Sequence, residues 1–186
     1  MHRVLAVIAS FVVIFSGAVL LLANLKPASP MEFRSEIILD MPVDDAWGIL
    51  RDLSLAHHYV PGVVYTEITT KATQGVGASR RVYTDETQYI NETVTDWQPG
   101  RGFDLVLHKD DGAAPAPFKR ASFSYALKSD GVQATLLTTR LRFTMRGGLP
   151  GQWLARVVLA GTFQGRLDAV SASLKTFYES RAMTVH

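Results

Sequence analysis

The alternation of apolar and polar positions divides the chain into three stretches. Residues 4–25 are apolar throughout, except for two serines and one asparagine. Residues 33–145 contain short apolar or alternating runs separated by glycine, proline and Asp-Gly pairs, which is typical of strands joined by turns. After residue 151, apolar side chains recur every three or four positions, which indicates one long helix.

The first stretch predicts a single transmembrane helix. At about 1.5 Å per residue, a helix over residues 4–25 is roughly 33 Å long, which matches the hydrocarbon core of a bilayer. The alternative is a cleaved signal peptide, with Ser16-Gly17-Ala18 as its cleavage site. We favour an uncleaved anchor because a further apolar run, residues 19–22, follows that site.

The charges on the two sides of this segment nearly balance. Arg3 and the amino terminus precede it and Lys26 and Arg34 follow it, so the positive-inside bias gives little orientation. Because a very short N-terminal flank commonly stays in the cytoplasm, we expect a single-pass protein whose domain is periplasmic or otherwise extracytoplasmic. We divide the chain into an anchor with its linker, residues 1–30, and a domain, residues 31–186.

The domain begins with a predicted strand and two short helices. Residues 33–41 have strand composition. Residues 42–50 predict an amphipathic helix, with proline at its start and two acids in the first turn, where the helix dipole favours them. A second short helix, residues 53–59, ends before a Pro-Gly pair.

Six further strands are predicted in succession. Their residues are rich in Val, Ile, Thr and aromatic side chains, and the Asp-Gly pairs between them suit hairpin turns. The predicted strands span residues 63–70, 80–83, 88–97, 103–108, 118–127 and 132–145. This succession predicts an antiparallel meander, curved around the final helix and closed at one end by the short helices.

The final helix carries an apolar stripe with two interruptions. The stripe comprises Leu154, Val157, Gly161, Gln164, Leu167, Val170, Leu174 and Phe177. A glycine inside a helix lowers its stability by about 1 kcal/mol relative to alanine. The presence of Gly161 and Gly165 in this helix therefore has to be explained. Close packing against the sheet and space for a ligand beneath the helix explain them equally well.

Charge and cysteine content exclude several classes of function. Two of the 19 Lys and Arg lie before residue 31, whereas none of the 17 Asp and Glu does, so the domain is formally neutral. A neutral domain lacks the basic surface that nucleic-acid binding requires. The chain contains no cysteine, which excludes disulfides, thiolate metal sites and cysteine nucleophiles.

No catalytic motif is present in the sequence. The Gly-Val-Gly of residues 75–77 lacks a third glycine and opens no helix, so it is not a dinucleotide-binding loop. Neither G-x-S-x-G nor H-E-x-x-H occurs. His57 and His58 are adjacent and point in different directions, which disfavours joint metal ligation. We therefore expect neither a metal nor a cofactor and assign no catalytic residue.

Several segments resemble the SRPBCC superfamily, specifically its polyketide cyclase/dehydrase and lipid-transport branch. The resemblance covers about residues 31–180. It is carried, in this order, by MPVDDAW at residues 41–47, DLSLAHHYVPGV at 52–63, GVG at 75–77, NETVTD at 91–96 and the closing helix. The order and spacing of these motifs are more specific than any one of them. Tyr59 stands where such families often have a tryptophan.

The resemblance implies an α+β START-like, Bet v 1-like fold of the helix-grip type: a curved antiparallel sheet around a long C-terminal helix, with two short helices. Here that domain follows one N-terminal transmembrane helix. Because the superfamily includes lipid, hormone and quinone binders as well as aromatase/cyclases, the fold does not decide the function.

Glu92 is the most informative single residue. If Ile90, Glu92 and Val94 share the inner face of the sheet, a carboxylate projects into an apolar interior. Burial would raise its pKa unless a cation such as an arginine pairs with it. In the resembling hormone-binding members an acid at this strand position faces the pocket. In the alternative register Glu92 is solvated, and the residues on either side of it face inward.

The candidate residues lining the cavity combine this carboxylate with apolar and aromatic side chains. They are Glu92, Tyr59, Trp47, Phe103, Leu105, Leu141, Phe143 and Gly161. For Trp47 and Tyr59, packing between the short helices and the sheet is the alternative role. Arg81, which lies in a strand, is interpreted as an outer-face charge.

The preferred function is binding or transport of a hydrophobic small molecule, such as a lipid, quinone or polyketide-like ligand. We expect the protein to be a membrane-tethered monomer. The alternative is a cyclase/dehydratase-type enzyme that uses Glu92, Tyr59 or His57 as acid–base groups. An enzyme needs a polar pair within about 3 Å in the cavity, whereas a carrier needs mostly apolar walls. A third possibility is an interaction module whose interior is filled by its own side chains.

Overall fold

The computed structural model describes residues 29–182. The predicted membrane anchor, residues 4–25, lies outside the described residues. Within residues 29–182 no helix combines the length and the apolar character that crossing a membrane requires.

Seven antiparallel strands form one sheet. They are β1 (Met31–Leu39), β2 (Tyr65–Ile68), β3 (Ser79–Tyr83), β4 (Tyr89–Gln98), β5 (Gly102–His108), β6 (Phe118–Ser129) and β7 (Thr135–Met145). Their order across the sheet is β1-β7-β6-β5-β4-β3-β2. The predicted meander is therefore confirmed, although strand ends differ by a few residues. The first strand, β1, pairs with β7 and forms one edge of the sheet.

Two short helices connect β1 to β2, as the sequence predicts. The first, α1, spans Val43–Leu50, with two acids in its first turn. A 3-10 turn, Leu53–Leu55, then leads directly into α2, Ala56–Tyr59. The carboxylate of Asp52 caps this turn by accepting a hydrogen bond from the Ser54 backbone N–H at 3.0 Å.

The C-terminal helix begins earlier than predicted. Helix α3 spans Gly148–Leu154, a wide π-helical turn spans Ala155–Leu159, and α4 spans Ala160–Ala182. Gly147 has a left-handed backbone (φ 81) and ends the strand region. Pro150 lies in the first turn of α3, where its missing N–H costs nothing, and so the Gly-Gly-Leu-Pro-Gly sequence of residues 147–151 does not delay the helix.

The predicted stripe on this helix is wrong in its first half. Leu154, Val157 and Gly161 are exposed, and a Cβ added at Gly161 would meet nothing within 4 Å. The side chains that face the sheet are instead Gln152, Ala155, Leu159, Phe163, Leu167, Ser171, Leu174 and Tyr178. A π-helical turn holds an extra residue, so inward side chains recur at steps of four from Ala155 to Leu167.

The interior consists of two hydrophobic clusters, one toward each end of the long helix. The larger cluster joins the short helices to the sheet and to the C-terminal half of α4. The smaller cluster contains Met31, Phe143 and Ala155 and packs against Phe163. Between sheet and helix, the buried hydroxyls of Thr139 and Ser171 are 2.9 Å apart. The helix thus lies against the inner face of the sheet along its length.

Candidate functional site

The β3–β4 hairpin brings a buried arginine and a glutamate opposite each other. Arg80 pairs with Glu92 in the strand register. Both residues lie on the inner face, because Val82 and Val94, two positions along their strands, are buried in the core. Asn91 points to the outer face, where its side-chain amide donates to Asp110.

Partners surround the guanidinium of Arg80. Its Nε and Nη2 both donate to Glu92 Oε2, each at 2.7 Å. Its Nη1 donates to the carbonyl of Leu53 at 2.8 Å and lies 3.5 Å from the hydroxyl of Tyr59. The Arg80 side chain is 1% exposed and that of Glu92 13%. A buried charge is tolerated only when it is paired and hydrogen-bonded in this way.

Opposing effects act on the pKa of Arg80. Burial alone would lower it, but the Glu92 carboxylate and the nearby hydroxyls of Tyr59 and Tyr125 outweigh burial and raise the pKa above its usual value. The guanidinium therefore remains charged, and the ion pair is a permanent feature of the interior.

Three tyrosines from three different elements complete a polar cluster around this pair. Tyr59 comes from α2, Tyr125 from β6 and Tyr178 from α4, and all three are buried. Burial raises the pKa of Tyr125 and of Tyr178 well above the usual value, so both hydroxyls keep their protons. We refer to Tyr59, Arg80, Glu92, Tyr125 and Tyr178 as the polar cluster.

The hydroxyl of Tyr178 is the unusual member of the polar cluster. It is fully buried, yet within residues 29–182 it has no hydrogen-bond partner. An unsatisfied buried polar group costs about 1–3 kcal/mol. Native proteins rarely retain such a group without a reason, and a missing ligand group is one such reason.

A surface groove of about 600 Å³ lies beside the polar cluster. It runs between the end of α2 and the outer side of α4 and is lined by His58, Pro61, Ala169, Ala172, Ser173, Thr176, Phe177 and Ser180. Phe177 stacks on His58, with ring centroids 5.1 Å apart, and its ring also lies 6.1 Å from that of Tyr59. Phe177 therefore separates the groove from the polar cluster.

The sequence-predicted site residues fall into separate places. Glu92 and Tyr59 lie in the polar cluster. Phe103 and Leu105 are buried beside it, with the Phe103 ring 5.2 Å from that of Tyr125. In contrast, Trp47 is partly buried and packs edge-on against Trp97 at 5.0 Å.

The remaining predicted residues lie away from the polar cluster. Leu141 and Phe143 belong to the smaller hydrophobic cluster, near the N-terminal half of α4. Gly161 is on the exposed side of α4, so its placement beneath the helix is wrong for the reason given above. The His57 Nδ1 lies 3.3 Å from the hydroxyl of Thr66, outside the polar cluster.

Sequence reasoning missed three members of the polar cluster: Arg80, Tyr125 and Tyr178. A signal for Arg80 was present, since two adjacent arginines in a strand must face opposite sides. Arg81 is on the outer face as predicted, with its guanidinium 3.6 Å from Asp110 and 4.0 Å from Glu67. Its neighbour must then face inward, toward Glu92.

Within the described part of the chain, no group of three or more His, Asp or Glu side chains could hold a metal ion. The polar cluster itself consists of one ion pair and three buried tyrosine hydroxyls. Such an arrangement can orient a polar group of a bound molecule by hydrogen bonds.

Comparison with known proteins identifies the family. A family model described as polyketide cyclase/dehydrase and lipid transport matches residues 30–179. The chain belongs to this family. Its matched segment includes every strand and helix that contributes to the polar cluster. Among curated protein sequences, none matches this chain.

Several solved structures share the fold of this family member. The ZhuI aromatase/cyclase from Streptomyces sp. R1128 is 17% identical, with a TM-score of 0.64 over 83% of this chain and 96% of that protein. Norcoclaurine synthase from Thalictrum flavum, solved with dopamine and hydroxybenzaldehyde, is 13% identical, with a TM-score of 0.62 over 83% and 89%.

A START superfamily protein from Mycobacterium smegmatis is also similar. It is 14% identical, with a TM-score of 0.60 over 80% of this chain and 97% of that protein. At such identities the likeness concerns the fold, and the reaction or ligand of this family member has to be argued from its own residues.

Proposed function

We propose that this protein binds a hydrophobic molecule bearing one polar group, and holds it next to a membrane in which residues 4–25 are anchored. The observation that carries the proposal is the buried hydroxyl of Tyr178, which lies in an apolar interior without a partner among the described residues. A ligand oxygen that accepts a hydrogen bond from this hydroxyl would satisfy it. The domain is proposed to be extracytoplasmic and monomeric.

The polar cluster offers one donor and one acceptor. Tyr178 supplies the donor, because its raised pKa keeps the hydroxyl protonated. Both Arg80 bonds end on Oε2 of Glu92, and within residues 29–182 Oε1 has no hydrogen-bond donor. A ligand hydroxyl could therefore donate to Glu92 and accept from Tyr178, whereas a ligand carbonyl could use only Tyr178.

The surroundings of these two groups favour an apolar ligand body. Phe103, Leu105 and Val94 are buried beside the cluster, and small-molecule sites generally combine apolar walls with a few polar groups. Lipid transport is one activity of the family, and the norcoclaurine synthase neighbour was solved with small aromatic molecules. A lipid, quinone or polyketide-like compound meets this description.

An acid–base enzyme of the cyclase/dehydratase kind is the second candidate. The observation in its favour is a polar pair 2.7 Å apart inside the domain. The pKa shifts point the other way, since burial raises the pKa of Tyr125 and Tyr178, and the Glu92 carboxylate helps to raise that of Arg80 despite burial. General acid–base groups work best with a pKa near the operating pH, so we prefer binding.

The test is native mass spectrometry of the full chain extracted in a mild detergent, followed by solvent extraction to identify any bound molecule. Tyr178→Phe should bind the co-purifying molecule roughly fivefold more weakly, which corresponds to one hydrogen bond of about 1 kcal/mol. Tyr83→Phe is the matched control, because its hydroxyl donates to Glu67 on the outer face at 2.8 Å.

Equal occupancy in wild type and Tyr178→Phe would contradict the assigned role of the hydroxyl. If no molecule co-purifies and the Tyr178→Phe variant is simply more stable, the interior is filled by its own side chains and the protein is an interaction module.

A further inference from the structure

An exposed apolar face lies at the N-terminal end of the long helix. Trp153, Leu154, Val157 and Val158 form this apolar face and are between 49% and 65% exposed. The opposite side of the same turns is buried through Gln152 and Ala155. Contiguous exposed apolar side chains of this size mark interaction surfaces rather than ordinary solvent-facing helix.

The chain enters the described part of the domain beside this apolar face. The side-chain amide of Gln152 donates to the Ser29 carbonyl at 2.6 Å, and its oxygen accepts from the Met145 N–H at 2.9 Å. Ser29 also shares a small surface groove with Trp153 and Arg156. Residue 29 is thereby fixed against the helix that carries the apolar face.

The length of the linker then limits where this end of the domain can be. Position 29 is four residue steps beyond position 25, the end of the apolar segment. A fully extended chain covers at most about 3.6 Å per residue, so the two positions are within roughly 14 Å of each other. If residues 4–25 span a bilayer, the apolar face is at its surface.

The charges around the apolar face suit a lipid surface. The sequence contains no Asp or Glu from position 131 to position 167, whereas Arg156 and Arg166 lie in this stretch and are exposed. Arginines beside exposed tryptophan and aliphatic side chains are typical of segments that lie at a membrane interface, where the guanidinium contacts lipid phosphates.

We propose that the apolar face docks onto the bilayer that anchors residues 4–25, with Trp153 at the level of the headgroups and Arg156 on the phosphates. This proposal rests on the anchoring of residues 4–25 within the proposed function, and is independent of the ligand. A second copy of the chain is a poorer occupant, since four side chains are few for a stable protein interface. Residues 4–25 themselves would leave most of their apolar surface in water.

Fluorescence quenching of the full chain in vesicles tests the docking. The vesicles contain phosphatidylcholine and phosphatidylglycerol, with bromine on the acyl chains in one sample and iodide in the buffer of another. The chain has three tryptophans, so the Trp153→Phe variant isolates the emission of Trp153. We expect brominated lipid to quench that emission strongly and iodide to quench it weakly.

Serine substitutions provide a second measurement that does not remove the fluorophore. Leu154→Ser with Val157→Ser should move Trp153 out of the lipid, so that quenching by brominated lipid falls and quenching by iodide rises. Both side chains are exposed, so folding is not threatened. Val132→Ser is the matched control, because Val132 is 86% exposed and lies in the turn before β7, away from the apolar face.

Each remaining outcome overturns the docking. Strong iodide quenching in wild type would place Trp153 in water, and shielding from both quenchers would place it against protein, either a second copy or residues 4–25. If an alkaline wash releases the chain from the vesicles, residues 4–25 do not anchor it, and both the anchoring and the docking are contradicted. Tyr178, which the proposed ligand contacts, is about 30 Å further along the helix than Val157, so ligand occupancy should be unchanged in the serine variant.

Discussion

A charged guanidinium persists in the core of this protein because it is paired with a carboxylate and hydrogen-bonded to further acceptors. Arg80 meets the carboxylate of Glu92, the carbonyl of Leu53 and the hydroxyl of Tyr59. The contact with Leu53 also joins the short helices to the sheet. One side chain thus combines a structural role with the electrostatics of the candidate site.

Replacing Glu92 by glutamine should destabilise the protein by about 3–5 kcal/mol, because the Arg80 charge stays buried without a counter-charge. Urea unfolding of the full chain in detergent measures the effect. The double variant Arg80→Met with Glu92→Leu should recover much of the loss, because no charge is then buried.

An exposed ion pair provides the comparison for this prediction. Arg142 and Glu32 form an ion pair in which both side chains are substantially exposed. Arg142→Ala breaks this pair and should change the free energy of unfolding by less than about 1 kcal/mol. If Glu92→Gln left the free energy of unfolding nearly unchanged, water would reach Arg80 and the interior would be less apolar than described.

At the level of the elements, the wide turn in the C-terminal helix decides which side chains face the sheet. It turns Gly161 and Gly165 toward open space, since a Cβ added at either meets nothing within 4 Å. Neither glycine is therefore needed for close packing, nor does either open room beneath the helix.

Alanine at Gly161 or Gly165 should raise the free energy of unfolding by about 0.5–1 kcal/mol each, because alanine has the higher helix propensity. Thermal unfolding followed by circular dichroism measures it. The control is Gly151→Ala, whose Cβ would lie 2.0 Å from the Arg146 carbonyl oxygen and should destabilise the helix start. A loss of stability at Gly161 would show that this face packs against something.

At the scale of the whole molecule, the domain has its own core and its own seven-stranded sheet. Its two hydrophobic clusters are contributed by residues after position 30, and its charges balance. The N-terminal segment is therefore expected to contribute membrane residence and not folding energy.

A fragment of residues 31–186 should consequently be soluble, monomeric and folded. Size-exclusion chromatography with light scattering and near-ultraviolet circular dichroism test this expectation. Aggregation of the fragment, under conditions in which the full chain folds in detergent, would argue against a separable anchor.

A reporter fused after His186 tests the orientation of the domain. Activity of a reporter that works only outside the cytoplasm is expected, because the flank before residue 4 is very short. Activity of a cytoplasmic reporter alone would reverse the proposed location and leave the fold unaffected.

The sequence alone determined the order and type of the elements, because alternation, helical spacing and turn residues are local properties of the chain. It also predicted that Glu92 faces inward and named an arginine as its possible partner, but not which one. Only tertiary structure decided that Arg80 is this partner, that Tyr178 has no partner within the described residues and that Gly161 faces outward. Each of these three findings depends on strand register or on the wide helical turn. Both features arise from packing between segments that are distant in the sequence.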